Sequence, residues 1–245
     1  MDDLFDFTDK KALITGGSRG LGRQMALAFA ARRADVIIAS RKLEKCQEVV
    51  AEIEALGRKG VAIAVDATNW DEMDRLADEA YAAFGQIDIL VNNAGKSPAI
   101  PSHEITERQF DGVVDLNFKG PFRLAANIGK RMYDGAGGVI INTSSAAAVN
   151  AVPGVVPYCG AKAALNAMTV SLAAEYGPKV RVNAIQAGPF LTDISKAWPE
   201  EMRQRAGNAL GRPGKPEEII STALYLASPA SSFVTGGVHK CDGGQ

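Results

Sequence analysis

Tyr158 and Lys162 stand four residues apart in Tyr158-Cys-Gly-Ala-Lys162, just ahead of an Ala/Leu-rich run over 163–176. On a helix, positions i and i+4 share a face, which sets an ammonium beside a phenol and favours its ionised form. A phenol titrates near about 10, so a tyrosine shifted downward can exchange a proton near neutrality, as interconversion of a carbonyl and an alcohol requires. The spacing alone is weak, because solvated helix faces carry many such pairs. A glycine-rich turn strengthens it: Thr15-Gly16-Gly17-Ser18-Arg19-Gly20-Leu21-Gly22 follows a short apolar run and leads into an amphipathic stretch over 23–31. Between a strand and a helix N-terminus, such a turn faces backbone N–H groups and the helix dipole toward phosphates. Its spacing is Gly-x-x-x-Gly-x-Gly, whereas the more familiar dinucleotide site has Gly-x-Gly-x-x-Gly.

Dinucleotide sites that select NAD usually place a carboxylate about 20 residues further on, against the ribose 2′-hydroxyl. Here the second apolar run ends Ala39-Ser40-Arg41-Lys42, with no acid. Ser40 and Arg41 suit a 2′-phosphate instead, and Arg19 adds a second guanidinium. The expectation is NADP(H) as the preferred cofactor, with NAD(H) as the alternative.

These residues need a scaffold, and the chain supplies one. Short β-branched apolar runs at 12–15, 35–39, 61–65, 87–91, 139–142, 180–185 and 238–239 alternate with helix-periodic stretches, the pattern of repeated βαβ units around a parallel sheet. Gly57 and Gly85 follow apolar-periodic runs as helix stops, and Gly177-Pro178 closes another. Thr106-Glu-Arg-Gln109 reads as a capping box before a long helical stretch over 110–133, and Pro216 suits a helix's first turn. The stretch 188–214 lacks a clear period and mixes Pro, Trp and Gly, which suits a substrate lid.

At 245 residues and 47% hydrophobic, the chain can bury the core of one α/β domain. A net charge of −1 without a dense basic run argues against a nucleic-acid binder or a protein of anionic membranes. Three scattered cysteines, Cys46, Cys159 and Cys241, do not make a disulfide framework, and no metal is expected, because His103 and His239 lack ligand-spaced neighbours. The acidic N-terminus and the absence of a long apolar run fit a cytoplasmic protein whose mature chain is this chain.

Taken together, the chain resembles the short-chain dehydrogenase/reductase family. The resemblance is carried by Thr15-Gly16-x-x-x-Gly20-x-Gly22, Asp66, Asn92-Asn93-Ala94-Gly95 and Tyr158-x-x-x-Lys162, in that order and across nearly the whole chain. It implies a single-domain, doubly wound Rossmann fold spanning 1–245, with a mostly parallel sheet of about seven strands and helices on both faces. It also implies a catalytic set of Asn117, Ser145, Tyr158 and Lys162, with Ser144 as the competing serine. Tyr158 would handle the proton, Lys162 would lower its pKa and hold the nicotinamide ribose, Ser145 would hold the substrate oxygen, and Asn117 would anchor a relay water. The cofactor would lie on Gly16, Ser18, Arg19, Gly20, Leu21, Gly22, Ser40 and Arg41, on Asp66 and Ala67, on Asn93, Ala94 and Gly95, on Tyr158 and Lys162, and on Gly188 and Thr192. Gly188 would permit close approach of the nicotinamide, although the Pro-Gly common in the family is here Ala187-Gly188.

The same resemblance implies a homotetramer. It also implies hydride transfer between nicotinamide and a carbonyl or secondary alcohol of sugar-acid, polyol or 3-oxoacyl type. Lys96, where the family more often has an aliphatic residue, would favour an anionic substrate group if it faces the pocket. Arg123, Lys130 and Arg131 could contribute a basic surface for an acidic carrier protein. The alternative function is a non-catalytic NADP(H) sensor on the same fold, which would be expected to tolerate loss of the tyrosine, lysine or serine.

Overall fold

The computed structural model describes residues 2–245. Seven strands form one sheet: β1 (Lys11–Thr15), β2 (Asp35–Ser40), β3 (Gly60–Ala64), β4 (Ile89–Asn92), β5 (Gly138–Ser145), β6 (Val180–Ala187) and β7 (Val238–Cys241). Their order is β3-β2-β1-β4-β5-β6-β7, and every pairing is parallel. Parallel strands need crossovers, and eight helices supply most of them: α1 (Gly20–Ala30), α2 (Leu43–Ala55), α3 (Trp70–Phe84), α4 (Glu107–Val114), α5 (Gly120–Asp134), α6 (Val156–Tyr176), α7 (Glu200–Gln204) and α8 (Ile220–Ala227).

The two faces of the sheet can be read residue by residue. Ala12, Ile14, Val36, Ile38, Ile89 and Val91 pack with α1, α2 and α8, whereas Leu13, Ile37, Leu90 and Ile140 pack with α3, α5 and α6. Both sets are buried, so the central strands are apolar on both faces and appear in the sequence as continuous runs. Strands β5 and β6 extend further than the apolar runs suggest, through Thr143-Ser144-Ser145 and through Gln186-Ala187. Their polar ends carry functional groups that hide the strand from a hydrophobicity reading.

The helix signals are realised at several places. Gly57 and Gly85 take φ of 74° and 76°, Thr106 and Gln109 close a capping box at α4, and Pro216 opens a short 3-10 turn. The stretch expected as one long helix differs in its middle. A π-helical turn, Asp115–Lys119, separates α4 from α5. Gly120-Pro121 follows it, and Pro121 has no N–H to give the carbonyl of Asn117, its i−4 partner in an α-helix. Gly120 also has no room for a side chain, because a Cβ there would fall 1.9 Å from the carbonyl oxygen of Ala67.

The chain runs outward through β1, β2 and β3, then returns to place β4 beside β1 on the other side. Ligands of open α/β sheets bind beyond the carboxyl ends of the strands at such a reversal.

Candidate active site

A cleft of about 1480 Å³ opens at this reversal, larger than the roughly 300–1,000 Å³ of a pocket for one drug-sized molecule. Its size suits a dinucleotide together with a second ligand. On one side, the glycine turn is fitted to the sheet from below. Asn93 Nδ2 donates to the carbonyls of Thr15 (3.1 Å) and Gly16 (3.2 Å), while Thr15 Oγ1 accepts from the N–H groups of Asn93 (3.0 Å) and Ala94 (3.2 Å). Gly16 and Gly20 take positive φ, and a Cβ at Gly22 would lie 2.4 Å from the Gly16 carbonyl oxygen. Gly22 is therefore a packing glycine beneath the turn, whereas Gly20 opens onto the cleft. No side chain caps the start of α1. An uncapped helix N-terminus over a glycine turn with free space above fits the diphosphate of a dinucleotide.

Further along the cleft, Ser40 ends β2 with its hydroxyl 3.0 Å from Ser18 Oγ and 3.1 Å from the buried Cys46 Sγ. Arg41 is exposed on the same wall. Asp66 Oδ1 accepts from the N–H (3.0 Å) and hydroxyl (2.8 Å) of Thr68, fixing the loop after β3. Leu21, Ala67, Asn93, Ala94 and Gly95 complete this half of the lining.

In the other half, Ser145, Tyr158 and Lys162 converge on the cleft from the end of β5 and the first turns of α6. Pro157 falls in the opening turn of α6, where its missing N–H costs nothing. The β5 alternation separates the two serines: Ser144 is buried with its hydroxyl 3.5 Å from the Lys162 carbonyl, whereas Ser145 is only partly buried and its hydroxyl acts on the Tyr158 phenol, lowering its pKa. Lys162 Nζ lies 5.8 Å from the centre of the Tyr158 ring and donates to the Thr143 carbonyl at 2.7 Å. Burial pulls its pKa down to about 7.

This changes the electrostatics expected from the sequence. Burial pushes the Tyr158 phenol up, with the Ser145 hydroxyl offsetting part of the rise. A lysine that is itself desolvated is only partly charged at neutral pH, so it cannot outweigh burial of the phenolate as a solvated i+4 neighbour would.

Asn117 does not line the cleft and lies fully buried behind Gly95. The π turn lets its Nδ2 reach both the Lys96 and Val113 carbonyls at 2.9 Å, while its Oδ1, aimed toward Gly95, has no protein partner. The Thr143 hydroxyl is likewise buried without one.

The first part of the stretch 188–214, as far as Met202, contributes to the wall of the cleft. It is pinned at its base, where Leu191 N donates to the Gly214 carbonyl and Gly214 N to the Pro189 carbonyl, both at 2.9 Å. Gly188 has a local cause that the sequence did not show: a Cβ there would stand 2.5 Å from Asp242 Cα, so the chain after β7 requires the glycine. Thr192 sits over the glycine turn, with its Cγ2 3.5 Å from the point a Gly20 Cβ would occupy. Next to it, Asp193 pairs with Arg19 at 3.0 Å and also with Lys196. Asp193 and Gln245 both line the cleft and were not foreseen, since neither lies in a local motif.

Two expectations about cations meet neighbouring groups in the structure. Arg123 makes a two-pronged pair with Asp74 at 2.6 Å per contact, Arg131 pairs with Asp78, and Lys130 with Asp134, so the three cations expected to dock an acidic carrier are locally neutralised. Lys96 does line the cleft, but its Nζ rests against Gly112 of α4. Among the described residues, no group of three or more potential metal ligands occurs, and no helix is long and apolar enough to cross a membrane.

Comparison with known proteins bears on the family of the chain. A family model described as enoyl-(acyl carrier protein) reductase matches residues 16–245. An NAD-dependent glycerol dehydrogenase of Listeria innocua is 36% identical, over 99% of this chain and 96% of its own. A 3-oxoacyl-[acyl-carrier-protein] reductase of Thermotoga maritima is 35% identical, over 96% of this chain and 97% of its own. The crystal structure of a short-chain dehydrogenase from Burkholderia cenocepacia in complex with NADP superposes with a TM-score of 0.92 at 33% identity, covering 97% of this chain and 98% of that one. The protein is thus an oxidoreductase of alcohol and ketone groups that works with a nicotinamide cofactor. By sequence, by sheet order and by similarity along nearly its whole length, the chain belongs to the short-chain dehydrogenase/reductase family.

Proposed function

We propose that the protein is an NADP(H)-preferring reductase or dehydrogenase of a secondary alcohol/ketone pair on a sugar-acid, polyol or 3-oxoacyl type of substrate. The observation that carries this reading is the convergence of Tyr158, Ser145 and Lys162 on one cleft whose far wall is the glycine turn. When bound, the nicotinamide gives or takes the hydride. In the reducing direction, Tyr158 hands its phenolic proton to the substrate carbonyl oxygen, and Ser145 Oγ–H donates to the same oxygen, orienting it and countering its developing charge. Lys162, held by the Thr143 carbonyl, supplies the nearby positive charge that the phenolate needs and a donor for the nicotinamide ribose. Asn117 keeps the Lys96 loop and α4 in register behind Gly95, and its unpaired Oδ1 offers an acceptor to a relay water.

NADP(H) is favoured because β2 ends in Ser40 and Arg41 without a carboxylate, with Ser18 already against Ser40. The relatives divide on this point, one being NAD-dependent and another holding NADP. Gly16, Ser18, Gly20 and Leu21 cradle the diphosphate with Gly22 packed beneath them, Asp66 and Ala67 flank the adenine, Gly188 and Thr192 flank the nicotinamide, and 188–214 acts as the lid of a single catalytic domain. Exposed Phe110, Phe122, Val156 and Val170 on α4, α5 and α6 suit a homotetramer packed through these helices, and three free cysteines suit the cytoplasm.

The test follows NADPH and NADH absorbance across ketones, 3-oxoacyl thioesters, sugar acids and the matching alcohols. Higher kcat/KM with NADPH and loss of turnover in Tyr158→Phe support the reading. Comparable or better efficiency with NADH removes the cofactor preference, and full activity in Tyr158→Phe removes the assigned role.

A further inference from the structure

The Arg19 guanidinium is one of the groups suited to a nucleotide 2′-phosphate, yet in this structure it is engaged elsewhere. Its neighbour Ser18 touches Ser40 at 3.0 Å, so the backbone of residue 19 lies beside the place where β2 ends and the 2′-substituent belongs. The guanidinium instead crosses the cleft to Asp193, with Nη1 3.0 Å from Oδ2. Asp193 sits in the lid directly after Thr192, and Lys196 holds its other oxygen. The Arg19 side chain is 69% exposed and the Asp193 side chain 34%. Such a pair is weak enough to exchange and strong enough to bias a long side chain, with a typical worth of about 0.2–1 kcal/mol.

We propose that Asp193 is a cofactor-selectivity residue: its carboxylate competes with the nucleotide 2′-phosphate for the Arg19 guanidinium, which moderates the preference for NADP(H) that Ser40 and Arg41 create. The inference rests on the proposed placement of the 2′-phosphate at Ser40 and Arg41. A doubly ionised phosphate offers the guanidinium more charge and more acceptor oxygens than a carboxylate, so its arrival draws Arg19 off the lid. A nucleotide with a bare 2′-hydroxyl has no such claim, and Arg19 stays on Asp193. The same residue then serves two ends: it tethers the lid to the glycine turn when NAD(H) is bound and grips the ribose phosphate when NADP(H) is bound.

The probes are adenosine 2′,5′-bisphosphate and adenosine 5′-monophosphate, with binding to the whole protein measured by calorimetry at low, fixed salt. In Asp193→Asn, the bisphosphate should bind roughly 1.5- to fivefold more tightly than in the parent, and the monophosphate should be unchanged. In Arg19→Met, adding Asp193→Asn should no longer improve bisphosphate binding. Unchanged bisphosphate affinity in Asp193→Asn overturns the proposal. So does an equal gain in the Arg19→Met background, which would mean that loss of a negative charge or release of Lys196 acts without Arg19. If the parent binds both probes equally, the NADP(H) preference fails; a gain confined to Asp193→Asn with Arg19 intact would still support the exchange.

Discussion

The sheet carries a buried charge at each of its two ends, and the two are treated oppositely. At the amino ends of β1 and β2, Asp35 receives Lys11 Nζ at 2.6 Å, Arg58 Nη2 at 2.7 Å and the Lys59 N–H at 3.0 Å. Burial would raise its pKa, but the Lys11 hydrogen bond, the Lys59 N–H and the two cations outweigh it, so the carboxyl stays below its ordinary value. At the carboxyl ends, Lys162 is buried with a lone backbone carbonyl for a partner, and Asn117 Oδ1 and the Thr143 hydroxyl nearby lack one. A charge with its partners in place contributes to stability. A charge without them costs stability and stays available to a ligand, as active sites require.

The largest test of this contrast is chemical. Tyr158→Phe keeps the ring and removes the proton, so kcat should fall about 10²–10⁴-fold, with the thermal midpoint within a few degrees of the parent. Initial rates alongside a melting curve check both halves. A comparable fall in stability would mean that the phenol holds the structure together, and the contrast between the two ends would fail.

Lys162→Met should separate function from stability more sharply, because the two are expected to move in opposite directions. The pKa of Lys162 is depressed from 10.5 to about 7. Between those values the unfolded chain holds a proton that the folded chain has lost, so stability rises as pH rises through that window, and the burial penalty is greatest below pH 7. Methionine removes the penalty. The variant should therefore lose most of its activity yet melt higher than the parent at pH 6, by roughly 3–10 °C. That gain should shrink toward pH 10. A lower melting point at pH 6 would show that the bond to the Thr143 carbonyl outweighs the desolvation.

What could be read from the chain divides along the same line. Leu13, Ile37, Leu90 and Ile140 announce a parallel sheet because strands buried on both faces are apolar at every position. Tyr158 and Lys162 can be read because helix geometry converts sequence spacing into spatial proximity. The Thr106–Gln109 box and the stops at Gly57 and Gly85 are equally local. Hidden from the sequence is whatever depends on a distant partner. Arg123 and Arg131 look like free cations until α3 brings Asp74 and Asp78 against α5, and Arg19 looks free until the stretch after β6 delivers Asp193. The π turn that buries Asn117 also goes unseen, because Gly120-Pro121 only signals that a regular helix is interrupted and leaves the form of the interruption open. The fall in Tyr158 acidity is hidden for the same reason, since it comes first from burial of the phenol itself, and the spacing of the pair is silent on burial.

The smallest expected effect lies at the opposite end of the sheet. Asp35→Asn leaves Lys11 and Arg58 without their carboxylate, far from the cleft, and should cost about 2 kcal/mol of stability near neutral pH. The kcat of the folded variant should remain that of the parent. Because the folded pKa of Asp35 is lowered, its contribution is fully present above 3.8 and is lost as pH falls through the folded value. Denaturant melts of parent and variant should therefore differ at pH 7 and converge as the pH is taken below 3.8. Convergence would show that the carboxylate charge stabilises this end of the sheet. A deficit that persists at low pH would instead assign the loss to hydrogen-bond geometry at the head of β2, making the two ends less different than their partners imply.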